Sequence, residues 1–261
     1  MALTQLFVHP LKSGRGHDLQ SATVTEQGLF NDRIWLVVRP NGSQITARTH
    51  HRLVLVQAQG SGEGEWRFSA PGQATLYTDT HRFAIPHRAQ VWKSEFTAQT
   101  GDVAADAWFS TLLGEPVHLL WLGQSTRRLQ DGSTPLSFAD GAPFLLISEA
   151  SLADLNQRLS TPISIRQFRP NLVVDDAFPF EEDEWHQIRI GEVVFEKINR
   201  CTRCIFITID PDSALPHPDR QPLTTLMQYR RLPEGVCFGV NLRARNSGIL
   251  HVGDSLEVVQ S

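Results

Sequence analysis

Short apolar runs separated by turn residues dominate the first ninety positions of the chain. Leu3–Val8 and Ile34–Val38 are two of them. The second runs into Pro40-Asn41-Gly42-Ser43, and Asn-Gly after an apolar run predicts a hairpin, since both central positions tolerate positive φ. Leu53–Gln57 leads to the glycine-rich turn Gly60–Gly64 and then to Trp66–Phe68. Short strands at this spacing predict a small β-barrel or sandwich. Helical spacing first becomes convincing at Val103–Leu113, where Ala105, Trp108, Phe109 and Leu112 share a face. Asp102 is placed to cap this helix and Gly114 to end it.

The second half continues in the same way. Pro116–Leu122 is followed by a polar, turn-rich stretch, Gly123–Ala139, predicted as a loop. Phe144–Ile147 predicts a buried strand, and Ser148 caps a helix over Glu149–Leu159 with an apolar stripe of Ala150, Leu152, Leu155 and Leu159. Strands are predicted at Asn171–Val174, Gln187–Ile190, Val193–Ile198, Ile205–Ile209, Phe238–Ala244 and Leu256–Val259, with a short helix at Leu223–Tyr229. The pattern is that of a β-rich α+β protein in two halves, 1–118 and 119–261.

Composition narrows the class. The 261 residues are 41% hydrophobic and 20% charged, with a net charge of −4, which suits a globular fold and argues against bulk binding of nucleic acid or acidic lipid. The opening residues, MALTQLFVHPLKS, lack the basic and apolar regions of a signal peptide. No run approaches the roughly 18–20 apolar residues of a membrane span. Three cysteines do not make an extracellular disulfide framework. The expectation is a cytoplasmic protein without a membrane segment.

Two cysteines form a Cys-x-x-Cys pair, Cys201 and Cys204. A thioredoxin-like dithiol would need its first cysteine at a helix N-terminus, whereas this pair lies between β-rich runs. A closed zinc site needs four ligands, and Cys237 and His217 are the available complements without a second paired motif. A cysteine-held iron–sulfur cluster needs a fourth cysteine. Two half-buried thiols without a role, or one soft thiolate beside Arg203 suited to a metal carrying an anionic organic group, are the other readings. Basic residues recur at strand ends: Lys12-Ser13, Asp32-Arg33, Thr46-Ala47-Arg48 and Arg169-Pro170-Asn171. Each suits a solvated loop; together they suit a phosphate-bearing ligand. Walker, GxGxxG, Gly-x-Ser-x-Gly and His-Glu-x-x-His motifs are absent.

The strings PLKSGRG, DRIWLVV, ITAR, PLSFADGAPFLLISEASLADLNQRL, FRPNLVV, IGEVVFEKINRCTRCIFITIDPDS and FGVNLRARNSGILHVGDSLEVV occur in this order over nearly the whole chain. They resemble the MOSC (molybdenum-cofactor sulfurase C-terminal) superfamily, and within it the mitochondrial amidoxime-reducing component and the bacterial reductases of N-hydroxylated bases. The resemblance implies an N-terminal β-barrel domain, a MOSC-type β-barrel domain with a few helices, and a molybdenum cofactor (Mo-molybdopterin) between them. It implies that Cys204 supplies the metal thiolate, and that Lys12, Ser13, Arg33, Arg169, Asn171, Thr202 and Arg203 grip the pterin and its phosphate. Asp140 and Gly141 would line the pocket, with Asp140 a candidate for proton delivery or for fixing a substrate nitrogen. The implied reaction is two-electron reduction of a small N-hydroxylated substrate to the amine or amidine. Some bacterial relatives carry a C-terminal ferredoxin-like domain with four cysteines. Here electrons are expected from a separate ferredoxin-, flavodoxin- or reductase-type donor, unless the chain is a truncation. MOSC domains also occur in sulfur-carrier and cofactor-maturation proteins, where a cysteine would carry persulfide, and this is the competing reading.

Overall fold

The computed structural model describes all residues except 124–126, 129–131, 176–177 and 261. The first half contains strands β1 (Leu3–Val8), β2 (His17–Leu19), β3 (Ser21–Thr25), β4 (Gly28–Leu29), β5 (Trp35–Val38), β6 (Gln57–Gly60), β7 (Glu65–Ser69), β8 (Leu76–Asp79), β9 (Ile85–Val91) and β10 (Ser94–Thr100). Helix α1 (Val103–Leu113) and β11 (His118–Trp121) complete it. The second half contains β12 (Arg127–Arg128), β13 (Pro135–Leu136), β14 (Phe144–Ser148), α2 (Glu149–Gln157), β15 (Leu172–Val174), β16 (Gln187–Ile190) and β17 (Val193–Thr202). It ends with α3 (Leu223–Tyr229), β18 (Arg231–Leu232), β19 (Gly235–Ala244), β20 (Gly248–His251) and β21 (Leu256–Gln260).

The main sheet has the order β2-β1-β15-β14-β19-β17-β16-β21, with β18 paired to β19. It curls until its far end meets its beginning. Ala2 bridges Ser255, the Leu3 N–H donates to the Asp254 carbonyl at 2.9 Å, and the Leu256 N–H donates to the Met1 carbonyl at 2.9 Å. The contact is a bridge of a few bonds rather than a full strand ladder. Two smaller sheets, β5-β11-β10-β9 and β6-β7-β8, form the other body. The 118/119 division is therefore one of sequence, because β1 and β2 lie in the sheet built mainly by the second half.

The continuous apolar runs follow from burial on both strand faces. All four residues of β5 are buried. Trp35 and Val37 enter one core with Trp66, Phe68, Phe83 and Phe109, while Leu36 and Val38 enter another with Phe138 and Leu120. Trp35 meets Phe83 edge-on at 4.8 Å and Phe68 at 5.5 Å, contacts worth about 0.5–1.5 kcal/mol each beyond area burial. Likewise β14 sends Phe144 and Leu146 into the interior of the curled sheet and Leu145 and Ile147 beneath α2 and α3.

Several expectations change. Ile205–Ile209 is not a strand but a 3-10 turn over Ile205–Thr208, because a short apolar run does not distinguish periods. The Thr208 hydroxyl donates back to the Ile205 carbonyl at 2.8 Å and helps hold that turn. His51–Leu55 is a second 3-10 turn, and the strand starts only at Gln57. The Asn41-Gly42 turn closes from the Gly42 N–H to the Arg39 carbonyl, with Pro40 second and left-handed Gly42 fourth (φ +85°). Helix α2 stops two residues early, at Gln157. In the expected Gly123–Ala139 loop, β12 and β13 pair, and 124–126 and 129–131 lie outside the described residues. The predicted caps of α1 are present: Asp102 accepts from the N–H groups of Ala104 and Ala105, and Gly114 is left-handed. Asp102 also accepts from the Thr78 hydroxyl, which ties the helix to β8. Asp102→Ala should therefore destabilise the protein by about 1–2 kcal/mol in a urea titration, with little change in m-value.

Candidate functional site

The cations flagged at strand ends converge. Lys12, at the turn after β1, is 5% exposed; its ammonium donates to the Phe138 carbonyl at 2.8 Å and pairs with Asp140. Arg48 reaches the same carboxylate at 3.2 Å, and the Trp92 indole N–H donates to it at 2.8 Å. Arg127 donates to the Asp140 backbone carbonyl at 3.2 Å and to the Val91 carbonyl at 3.4 Å. A half-exposed aspartate from the β13–β14 connection is thus contacted by groups from four separate segments, three of them at its carboxylate and Arg127 at its backbone carbonyl.

A second cluster is built on Asn171, which is 1% exposed. Its side-chain carbonyl accepts from Arg33 at 2.9 Å and from the Leu145 N–H at 3.3 Å, and its amide donates to the Phe7 carbonyl at 3.2 Å. Arg33 also pairs with buried Asp32 and donates to the Arg169 carbonyl at 3.1 Å. Arg169 donates to the Gly14 carbonyl beside Ser13. Arg203 donates to the Phe168 carbonyl at 2.7 Å and to the Cys201 sulfur at 3.0 Å, and its buried Nε has no partner. His9 links the two runs, its Nε2 bonded to the Pro170 carbonyl at 2.9 Å and its backbone N–H to Asp32 at 2.8 Å.

Six cations, Lys12, Arg33, Arg48, Arg127, Arg169 and Arg203, share two carboxylates, Asp32 and Asp140. The electrostatics register the imbalance. Burial, opposed by Asp140, lowers the Lys12 ammonium to about 8. Burial and the neighbouring Arg33 lower Arg169 to about 9. Burial, then Arg169 and Arg33, push His9 well below its ordinary value, so it is neutral. Asp140 responds oppositely: burial raises its pKa, but Lys12, Arg48 and the Trp92 N–H outweigh this and hold it far below the usual carboxylate range. Such a group is ionised at neutral pH. An ionised carboxylate accepts hydrogen bonds and can pair with a cation or an N–H.

Cys204 is exposed and opens the Ile205–Thr208 turn, while Cys201 is half-buried behind it. Thr202 is exposed and pairs in register with Cys237, and Gly141 is exposed with open space where a Cβ would stand. Arg48, flagged with the other strand-end cations but given no role, belongs to the same environment, as do Arg127 and Trp92, which were not singled out. Trp92 and Arg127 carry no local signal and arrive only through the chain's folding. The wide cleft of about 1810 Å³, lined by residues such as Ser21, Thr23, Gln59, Trp66 and Tyr77, includes none of Lys12, Asp140, Arg169 and Cys204.

A model of the MOSC N-terminal beta barrel domain matches residues 1–116, and one of the MOSC domain matches 133–257. The mitochondrial amidoxime-reducing component 1 of Danio rerio is 32% identical over 97% of this chain and 83% of its own length. The chain belongs to the MOSC family of the amidoxime-reducing components. The Homo sapiens component 1 is 31% identical over 97% of this chain and 81% of its own. The molybdenum cofactor sulfurase of Oryza sativa subsp. japonica is 29% identical over 92% of this chain but only 32% of its own length. Among the described residues of this MOSC protein, no helix is long and apolar enough to cross a membrane.

The lowered Lys12 pKa gives a signed expectation for the protein without an anion in the site. The unfolded chain holds this proton up to about 10.4, the folded chain only up to about 8, so stability rises with pH between those values. Between pH 7.5 and 9.5, wild type should gain about 1–2 kcal/mol relative to Lys12→Met in matched denaturation curves. A site anion should abolish that gain.

Proposed function

We propose that this chain is a molybdenum-cofactor-dependent reductase of N-hydroxylated compounds: hydroxylaminopurine-like bases, amidoximes and hydroxylamines. The observation that carries this reading is the set of six poorly neutralised cations in a chain that also presents an open thiol. It is supported by the names of the relatives that match over most of their length. Partnerless buried Nε atoms on Arg48, Arg127 and Arg203 are donors suited to an anionic group. Among the described residues, no group of three or more His, Cys, Asp or Glu side chains could hold an ion. A metal carried by its own organic ligand needs less, and Cys204 would be its one protein thiolate.

In this reading Lys12, Ser13, Arg33, Arg169, Thr202 and Arg203 hold the pterin and its phosphate, and Gly141 offers backbone groups. Asn171 acts from behind by fixing the Arg33 guanidinium. When bound, the cofactor supplies two electrons at a time. With two protons these convert N–OH to N–H and water. Asp140, ionised, orients a polarised substrate nitrogen, and the Lys12 ammonium, paired with it, holds that carboxylate in place. Electrons come from a separate ferredoxin-, flavodoxin- or reductase-type protein, and the location is cytoplasmic.

The competing sulfur-carrier or maturation reading draws on the rice sulfurase, of which this chain spans about a third. It would place a persulfide on Cys201 or Cys204, visible as a 32-Da mass increment lost on mild reduction. For the reductase, protein from a molybdate-replete host should carry stoichiometric molybdenum and reduce an amidoxime anaerobically with a chemical donor. Cys204→Ala should fall to background, while Cys201→Ser should retain most activity. An active Cys204→Ala protein with normal molybdenum content would sink the assignment.

A further inference from the structure

Trp92 occupies a position that costs the fold something. It is the first of two residues in the turn between β9 and β10, with φ of +56°, a left-handed value such turns usually give to glycine, asparagine or aspartate. The turn is nevertheless held firmly. The Gln90 side chain donates to the Trp92 carbonyl at 2.7 Å, and Arg127 donates to the neighbouring Val91 carbonyl. A strained bulky residue that its surroundings fix in place marks a functional site more often than a stability device.

The indole is half-committed. Its N–H edge is bonded to Asp140, and the Arg48 guanidinium lies over one face, 4.4 Å from the ring centroid. The residue remains 52% exposed. With the edge and one face occupied, the open surface is the opposite ring face, directly beside an ionised carboxylate. An aromatic face next to a fixed acceptor suits a flat, π-delocalised group carrying an N–H in its plane.

We infer that Trp92 is the stacking platform for substrate and selects planar N-hydroxylated bases and aromatic amidoximes over aliphatic hydroxylamines. This deepens, and rests on, the reductase reading. Asp140 takes the in-plane N–H while the ring lies on the indole, so the two contacts reinforce each other. Arg48, on the far face, keeps the indole from rotating away. An aliphatic hydroxylamine has no surface to offer the ring and gains nothing from it.

The test compares Trp92→Gly, which suits the backbone but removes the ring, with Trp92→Phe, which keeps an aromatic face without the N–H. Molybdenum-loaded proteins are assayed anaerobically with 6-hydroxylaminopurine and with N-methylhydroxylamine. Trp92→Gly should raise the ratio of the purine KM to the aliphatic KM about tenfold, whereas Trp92→Phe, which gives up the N–H to Asp140 but keeps the ring, should hold that ratio within about twofold of wild type. An unchanged ratio of the two KM values in Trp92→Gly overturns the inference. If wild type reduces neither compound, the reductase reading fails separately, and calorimetric titration with 6-hydroxylaminopurine decides on Trp92. Binding about tenfold weaker in Trp92→Gly supports the platform; equal binding, or none to wild type, rejects it.

Discussion

A buried carboxylate and a buried amide, Asp32 and Asn171, hold the site at the junction of the two bodies. Asp32 is 2% exposed, pairs with Arg33 and accepts the His9 backbone N–H. Asn171 accepts from Arg33 and from β14 and donates to β1. Arg33 in turn receives the Phe138 N–H at its backbone carbonyl, two residues from Asp140. One network therefore fixes the exit of the first strand, the Arg-Pro-Asn turn and the start of the Asp140 loop. Losing a partner in such a network leaves a buried charge uncompensated, which typically costs about 3–5 kcal/mol.

The site is expensive in a second sense. Ser13, Arg33, Trp92 and Arg169 are four of the eight non-glycine residues with positive φ among those described. Left-handed backbone at such residues costs on the order of 1–3 kcal/mol each, and mutual repulsion of the cations adds to it. The surrounding cores offset this: Trp35 and its ring of aromatics on one side, and the interior of the curled sheet on the other. An anion in the site would relieve the repulsion, so ligand binding and folding stability are linked.

Within the Cys-x-x-Cys pair the two sulfurs have different surroundings. Cys201 is half-buried and accepts from Arg203, whereas Cys204 is exposed where the β17 ladder has ended and the chain turns into a 3-10 coil. The third cysteine, Cys237, is buried on β19, and burial, with Glu234, pushes its thiol up to about 11. It is a protonated thiol at neutral pH. The two sulfurs of a symmetric sequence motif are therefore unequal in the fold, Cys204 being the open one.

Much was legible from local rules. Asp102 and Gly114 bracket α1, Ser148 caps α2, and the runs at Trp35–Val38 and Phe144–Ser148 are strands, because caps and strand burial are set by nearest neighbours. The motifs named Lys12, Arg33, Arg169, Asn171 and Cys204 as residues to watch. Ile205–Ile209 was misread because so short and largely apolar a run carries no period, and the strand ladder that would decide between coil and strand ends at Thr202 and Cys237. Tertiary structure alone decided that β1 and β2 join the second half's sheet, and that Trp92, Arg48 and Arg127 surround Asp140. It also decided that the buried Lys12 ammonium is lowered to about 8. Local conformation depends on adjacent residues and can be read in order along the chain. Charge state and strand partnership depend on groups brought together from distant positions, and only the folded chain brings them together.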